Sequence, residues 1–136
     1  MCASHSKSLY GLLDLNNHID VVDIGANPID SEPVYKKLLD LNQAKVIGFE
    51  PNSEALIRLN AKKGPNEKYI GQAVFDGAQH QLKICEAEGM TSLLEPNMNL
   101  LNYLHGFPRW GKVNYRKQIQ TVRLDDVKEI KNIDFL

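Results

Sequence analysis

A carboxylate, a glycine and an amide follow one another where an apolar run ends near the start of the chain. In the stretch VVDIGANPID the run reaches Asp23, and Gly25, Ala26 and Asn27 come next. A glycine just after a strand lets a ligand approach the backbone, because glycine has no Cβ. Ligands of open parallel sheets bind beyond the carboxyl ends of the strands. The pattern predicts a ligand-binding turn at Gly25, although a lone glycine here is also typical of a plain turn.

A second acid ends the next apolar run. Glu50 closes the stretch KVIGFE. A carboxylate at the tip of the second strand can accept hydrogen bonds from both hydroxyls of a ribose, although a strand-end glutamate alone is often only a solvated residue. Gly25 and Glu50 together, at the ends of adjacent strands, predict a site for an adenosine-containing ligand.

The residues after Asn27 distinguish between adenosine ligands. A dinucleotide-binding turn has further glycines that admit the pyrophosphate, whereas this chain has Pro28, Ile29 and Asp30, and an aspartate there would repel a diphosphate. S-adenosylmethionine has no phosphate, and carboxylates favour its ammonium and sulfonium groups. We therefore predict S-adenosylmethionine as the cofactor. Two alternatives stay open: a NAD(P)-dependent oxidoreductase whose turn has diverged, and a non-enzymatic α/β interaction domain.

Alternating strands and helices are expected to position these residues. Apolar runs rich in β-branched residues predict parallel strands over residues 19–24, 45–50 and 68–75. Short connections between alternating strands and helices indicate right-handed βαβ units. The predicted fold class is therefore α/β, with a mostly parallel sheet and flanking helices.

Helices are predicted between these strands. Ser31 is suited to cap the first, which would turn Val34, Leu38 and Leu41 inward. Asn52 or Ser53 would cap a second helix, and the leucines of residues 9–13 indicate a short helix before the first strand.

Beyond residue 75 the pattern changes to an inserted antiparallel hairpin. The stretch QLKIC alternates apolar and polar residues, and residues 118–124 are its predicted partner. Residues 86–117 between them form a long irregular excursion, and such loops are usually functional or mobile. In that excursion Thr91 and Ser92 are expected to cap a helix rather than to line the cofactor pocket.

A last apolar run begins at Ile133 and is expected to pair with the free side of the first strand. Because the chain stops at Leu136, the sequence predicts a single domain over residues 1–136 that is incomplete at its C-terminal side. An exposed edge of the first strand would then leave Val21, Val22 and Ile24 without neighbours and would favour self-association. We expect no methyl transfer by these 136 residues alone.

Composition excludes several classes of protein. The chain has 136 residues, of which 43% are hydrophobic, and a net charge of -1, which fits one soluble domain and no nucleic-acid or membrane partner. Two cysteines are too few for a disulfide framework, so a cytoplasmic location is expected. The four histidines and the cysteines have no metal-ligand spacing, and no metal is expected.

The motifs VVDIGANP, VIGFEPN, GQAVFDG and GMTSLLEPN resemble the FkbM-like family of class I S-adenosylmethionine-dependent methyltransferases, and the resemblance extends from about Val21 to Leu136. It implies a Rossmann-like fold and O-methylation of a hydroxyl group on a sugar or polyketide-type small molecule. The family usually has a glycine where this chain has Ile29. No residue is assigned as the general base. The implied cofactor contacts are Asp23, Gly25, Ala26, Asn27, Glu50, Pro51, Asn52, Ala73 and Val74.

Overall fold

The structure is a computed structural model that describes residues 18–29 and 31–136. A three-stranded parallel sheet forms its first half, in the order β1-β2-β3, from β1 (Ile19–Ile24), β2 (Ala44–Phe49) and β3 (Glu67–Ile70). Val21 lies opposite Val46, and Ile24 lies opposite Phe49. The predicted parallel arrangement of the first three strands is confirmed, and the helix expected over residues 9–13 lies outside the described residues.

A second, mixed sheet has the order β4-β6-β5, from β4 (Ala73–Val74), β5 (Gln79–Cys85) and β6 (Val113–Val122). β5 and β6 are antiparallel, with Gln79 opposite Gln120, while β4 runs parallel to β6. The predicted hairpin is thus confirmed, and its second strand begins earlier than expected. The fold is α/β, with one parallel and one mixed sheet.

The third predicted strand is divided between the two sheets. β3 ends at Ile70, and β4 begins at Ala73 beside β6 instead of continuing the first sheet. Gly71 marks the break, and a Cβ there would lie 2.7 Å from Cδ2 of Leu56. A continuous strand over residues 68–75 was therefore a wrong prediction, because a glycine inside a strand permits this bend and close approach.

Two short helices lie between the parallel strands. α1 spans Lys36–Asp40, and α2 spans Ser53–Lys62 with Asn52 as its N-cap. The Asn52 side chain accepts hydrogen bonds from the backbone N–H groups of Glu54 and Ala55, as predicted from its residue type. α1 begins later than expected, and the prediction that Ser31 caps it is wrong, since its N-cap is Tyr35 and no side chain caps it. Val34 and Leu41, predicted to face inward, are 83% and 59% exposed.

The excursion between β5 and β6 contains a 3₁₀ turn (Glu88–Met90) and two one-turn helices, α3 (Met98–Leu101) and α4 (Phe107–Trp110). A second 3₁₀ turn, Leu124–Asp126, follows β6. The longest helix among the described residues is α2, with ten residues, and none there has the length and apolar character that crossing a bilayer requires.

The parallel sheet is covered on both faces. Val21 and Val46 pack with Tyr35 against α1 on one face, while Val22, Phe49 and Val127 form a cluster on the other face with residues of the second sheet. Neighbouring residues of β1 thus point into different clusters, as expected for a strand buried on both sides. The expectation that Val21 and Val22 lack neighbours is wrong, since each is 2% exposed, whereas Ile24 is half-exposed.

The last residues lie beside β1, on the side away from β2. Phe135 forms a parallel bridge with Val21, and its carbonyl accepts a hydrogen bond of 2.9 Å from the backbone N–H of Val22. Asp134 donates to the carbonyl of Asp20 at 2.9 Å. The run that begins at Ile133 therefore takes the expected position, with one bridge in place of a strand.

A candidate ligand-binding site at the carboxyl end of the parallel sheet

A cavity of about 540 Å³ lies where β1 and β2 end. Its walls come from four parts of the chain: the turn after β1, the turn after β2, β4 with its flanking residues, and β5 with the segment that follows it. Seven of the nine predicted site residues line it: Gly25, Asn27, Glu50, Pro51, Asn52, Ala73 and Val74. Three separate sequence motifs are thus brought together around one space.

The turn at Gly25 is held against the end of β2. The carbonyl of Phe49 accepts hydrogen bonds from the backbone N–H groups of Gly25 at 2.9 Å and Ala26 at 3.0 Å. Gly25 has a φ of 85°, a left-handed conformation that favours glycine, and a Cβ there would meet no protein atom within 4 Å. The glycine therefore exposes bare backbone to the cavity.

Glu50 is the buried carboxylate of the site. It is 7% exposed, and its Oε1 accepts a hydrogen bond of 2.7 Å from the backbone N–H of Asn52. Its own N–H donates to the carbonyl of Ile70 at 3.0 Å, which fixes the backbone at the end of β2. An ionised carboxylate has about four acceptor positions, so capacity for ligand hydroxyls remains.

Burial raises the pKa of the Glu50 carboxyl above its ordinary value. Backbone N–H groups of Asn52 and Asn27 oppose this effect, while the nearby charge of Glu88 adds to it. The cavity thus holds a carboxylate whose desolvation costs folding free energy. Perturbed groups of this kind cluster at functional sites.

The side of the cavity formed by β4 is mostly apolar. Ala73 is 7% exposed, and Val74 lies beside it, between Gln72 and Phe75 at the cavity wall. A flat apolar ring would bury its faces against such residues, while Gln72 supplies polar atoms at the margin.

Asp23 and Ala26 do not line this cavity. Oδ2 of Asp23 accepts a hydrogen bond of 2.5 Å from the hydroxyl of Tyr35, on the side of the sheet where α1 packs. Burial, together with that bond, raises the pKa of the Tyr35 hydroxyl. Ala26 is 3% exposed and packs on Gly48, where a Cβ would come within 2.7 Å of it. Both residues thus support the turn from the side that faces away from the cavity.

Sequence reasoning missed Glu88 in the 3₁₀ turn after β5. Its Oε2 accepts a hydrogen bond of 3.0 Å from Nδ2 of Asn27 and lies 3.6 Å from Nη2 of Arg58. No local motif marks Glu88, because only the fold brings the segment after β5 next to the turn after β1.

Thr91 and Ser92 line the cavity, contrary to the expectation that they cap a helix. Thr91 Oγ1 accepts a hydrogen bond of 3.2 Å from the backbone N–H of Cys85, and Ser92 Oγ accepts one of 3.1 Å from that of Leu94. Both hydroxyls stabilise the local course of the chain that forms this wall.

The described residues contain no group of three or more histidines, cysteines or acids that could hold a metal ion. His80 is used structurally, since its Nε2 lies 2.8 Å from Oδ1 of Asp76 and its ring packs edge-on against Phe75. The chemistry available at the cavity is therefore that of two carboxylates, amides, hydroxyls and an apolar wall.

Comparison of the chain with protein-family models, curated proteins and solved structures gives no match.

Proposed function

We propose that the chain binds S-adenosylmethionine in this cavity and is the cofactor-binding part of an S-adenosylmethionine-dependent methyltransferase with a Rossmann-like fold. The observation that carries the proposal is the buried Glu50 carboxylate at the tip of β2, beside the bare backbone of Gly25 at the end of the adjacent strand β1. A carboxylate in that position suits the two hydroxyls of a ribose.

The sheet order supports a ligand at this edge. The order β3-β2-β1 continues with the segment that contains Phe135 on the far side of β1. In doubly wound sheets, ligands bind where the strand order reverses, which here is the carboxyl end of β1. The cavity volume of about 540 Å³ falls within the range usual for small-molecule and cofactor sites.

Charge favours the methyl donor over a dinucleotide. Glu88 lines the cavity beside the turn after β1, and its carboxylate would repel a diphosphate there and attract a sulfonium or an ammonium. Glu50 suits the ribose of either ligand and does not distinguish them. The N–H groups of Gly25 and Ala26, which a phosphate would need, already donate to Phe49. The backbone of this turn is thus poorly suited to a nicotinamide dinucleotide.

The resemblance to the FkbM-like family supports an O-methyltransferase that acts on a hydroxyl of a sugar or polyketide-type small molecule. Transfer requires the acceptor oxygen to approach the methyl carbon in line with the sulfur, and the rate depends mainly on positioning and on removal of a proton. The proposal gives the cavity a role in cofactor binding alone, and we assign no general base among the described residues.

A thermal-shift comparison tests the proposal. S-adenosylmethionine or S-adenosylhomocysteine at a hundred times its dissociation constant should stabilise the protein by about 2.7 kcal/mol and raise the unfolding temperature. NAD and NADP should give no shift. Stabilisation by a dinucleotide with none by either methyl-donor compound would replace the proposal with the oxidoreductase alternative.

A further inference from the structure

Glu88 lines the cavity without belonging to either strand-end motif. The hydrogen bond from Asn27 ties its carboxylate to the turn after β1, and the neighbouring Gly89 packs on Ile29 of the same turn. The Glu50 carboxyl lies on the other side of Asn27, whose backbone N–H bonds to it, and β4 forms a further part of the cavity wall. Glu88 is therefore a negative group at the end formed by Asn27 and Ile29.

The ion pair between Glu88 and Arg58 can give way to a pair between Glu88 and a cationic ligand group. Its side chain is 55% exposed, and Arg58, which pairs with it at 3.6 Å, is 51% exposed. An exposed ion pair of this kind contributes little to stability, because solvent screens it. A cationic ligand group can therefore replace Arg58 at small cost, while Asn27 keeps the carboxylate in position.

We propose that Glu88 determines ligand specificity by binding the ammonium group at the amino-acid end of the cofactor. The inference rests on the proposed function, in which the ribose lies on Glu50 and the adenine lies near Ala73 and Val74. In that orientation the amino-acid end lies towards Asn27, and Glu88 supplies the anion there. An ammonium has three N–H donors and no acceptor, which matches a carboxylate.

The test compares two ligands that share adenosine and differ at this end. S-adenosylhomocysteine carries the ammonium group, whereas 5′-methylthioadenosine lacks the whole amino-acid part. In calorimetric titrations, Glu88→Gln should weaken S-adenosylhomocysteine binding about tenfold and leave 5′-methylthioadenosine binding unchanged, because the amide keeps the shape of the side chain and loses its charge. Glu50→Gln should weaken both ligands.

Arg58→Gln is the matched control. It removes the same ion pair but leaves the Glu88 carboxylate, so binding of S-adenosylhomocysteine should stay equal or become tighter. Equal weakening by Arg58→Gln and Glu88→Gln would overturn the inference and show that the pair only holds the cavity wall. A Glu88→Gln variant that binds both ligands with the affinity of the unmodified chain would also overturn the inference.

Failure of the proposed function has a different signature. If the unmodified chain binds neither ligand at millimolar concentration, the adenosine site itself is wrong and the role of Glu88 falls with it. As an independent measurement on the unmodified chain, added salt should weaken S-adenosylhomocysteine binding more than 5′-methylthioadenosine binding, because only the first uses a charge pair. Equal salt dependence would count against Glu88.

Discussion

At the scale of single residues, Gly25 determines whether a ligand can reach the end of β1. Its φ of 85° favours glycine, and the space beyond its Cα is open. An alanine there would cost roughly 1–2 kcal/mol in conformational strain and would put a methyl group where the ligand meets the backbone. We expect Gly25→Ala to weaken S-adenosylhomocysteine binding at least tenfold in calorimetry.

Gly106 provides a matched control for this substitution. It has a φ of 84°, and a Cβ there also meets nothing within 4 Å, but it lies outside the cavity wall, just before α4. Gly106→Ala should lose similar stability in urea unfolding and keep full binding. If Gly25→Ala binds as well as Gly106→Ala, the ligand does not contact this turn.

The buried Glu50 gives a pH dependence with a definite sign. Because burial raises its pKa, the folded protein prefers the protonated carboxyl. The stability that this preference contributes is complete below the ordinary pKa of a glutamate and is lost as the pH rises through the raised value. At pH 7 the ionised side chain therefore costs stability, and Glu50→Gln should unfold at a higher temperature than the unmodified chain.

That difference in unfolding temperature should shrink as the pH falls towards 4, where Glu50 becomes protonated. Glu54→Gln is the control, since Glu54 is an exposed residue in the first turn of α2 and a neutral side chain there should be neutral or slightly destabilising. If Glu50→Gln is less stable than the unmodified chain at pH 7, and by the same amount at pH 4, the assigned cost of burying the carboxylate is contradicted.

Sequence reasoning identified the cavity-lining residues that follow β1 and β2, and it missed Glu88, which follows neither strand. Gly25 and Glu50 are recognisable because an apolar run ends beside them. The pairing of Asp23 with Tyr35 depends on where α1 packs, and the position of Glu88 depends on how the segment after β5 folds back. Neither relation leaves a periodic pattern in the sequence.

At the scale of elements, one buried hydroxyl makes two hydrogen bonds to the turn between β4 and β5. Thr121 of β6 is 4% exposed; its Oγ1 donates to the carbonyl of Ala78 at 2.7 Å and accepts from the N–H of Gly77 at 3.2 Å. Thr121→Val keeps the shape and loses both bonds, so it should lower the free energy of unfolding by about 1–3 kcal/mol, measured by chemical denaturation.

Gln120 serves as the comparison for Thr121. Its Nε2 donates to the carbonyl of Gly77 at 2.6 Å, but the residue is exposed, so water can replace the bond. Gln120→Ala should therefore change the unfolding free energy by no more than about 0.5 kcal/mol. Equal losses from both substitutions would show that burial of the hydroxyl does not decide the stability of this turn.

The strands could be predicted where a local residue pattern specifies them. The division of residues 68–75 between β3 and β4 could not be predicted in this way. β1 matches its predicted bounds, because six consecutive residues suit a strand buried on both faces. The break at Gly71 arises from a tertiary contact with Leu56 and from the competing partner β6, which a strand pattern does not encode. The late start of α1 was not predicted either, and its N-cap is Tyr35, whose hydroxyl bonds to Asp23 of β1.

At the scale of the whole molecule, two sheets meet around one apolar cluster. Phe49 and Val22 of the parallel sheet pack with Val127 and with Val122 of the second sheet. This arrangement brings the segment after β5 over the carboxyl ends of β1 and β2 and so completes the cavity. The sequence predicted an inserted hairpin but not which face of the sheet it covers.

The most direct test of the central claim is a calorimetric titration of the chain with S-adenosylhomocysteine, repeated with Glu50→Ala. We expect a single binding site in the unmodified chain and a loss of about 1.5–3 kcal/mol in the variant, which is the usual value for hydrogen bonds to a charged group. Circular dichroism should first show that the variant is folded. The absence of binding to any adenosine compound at millimolar concentration, or equal affinity in a folded Glu50→Ala variant, would contradict the assignment of this cavity.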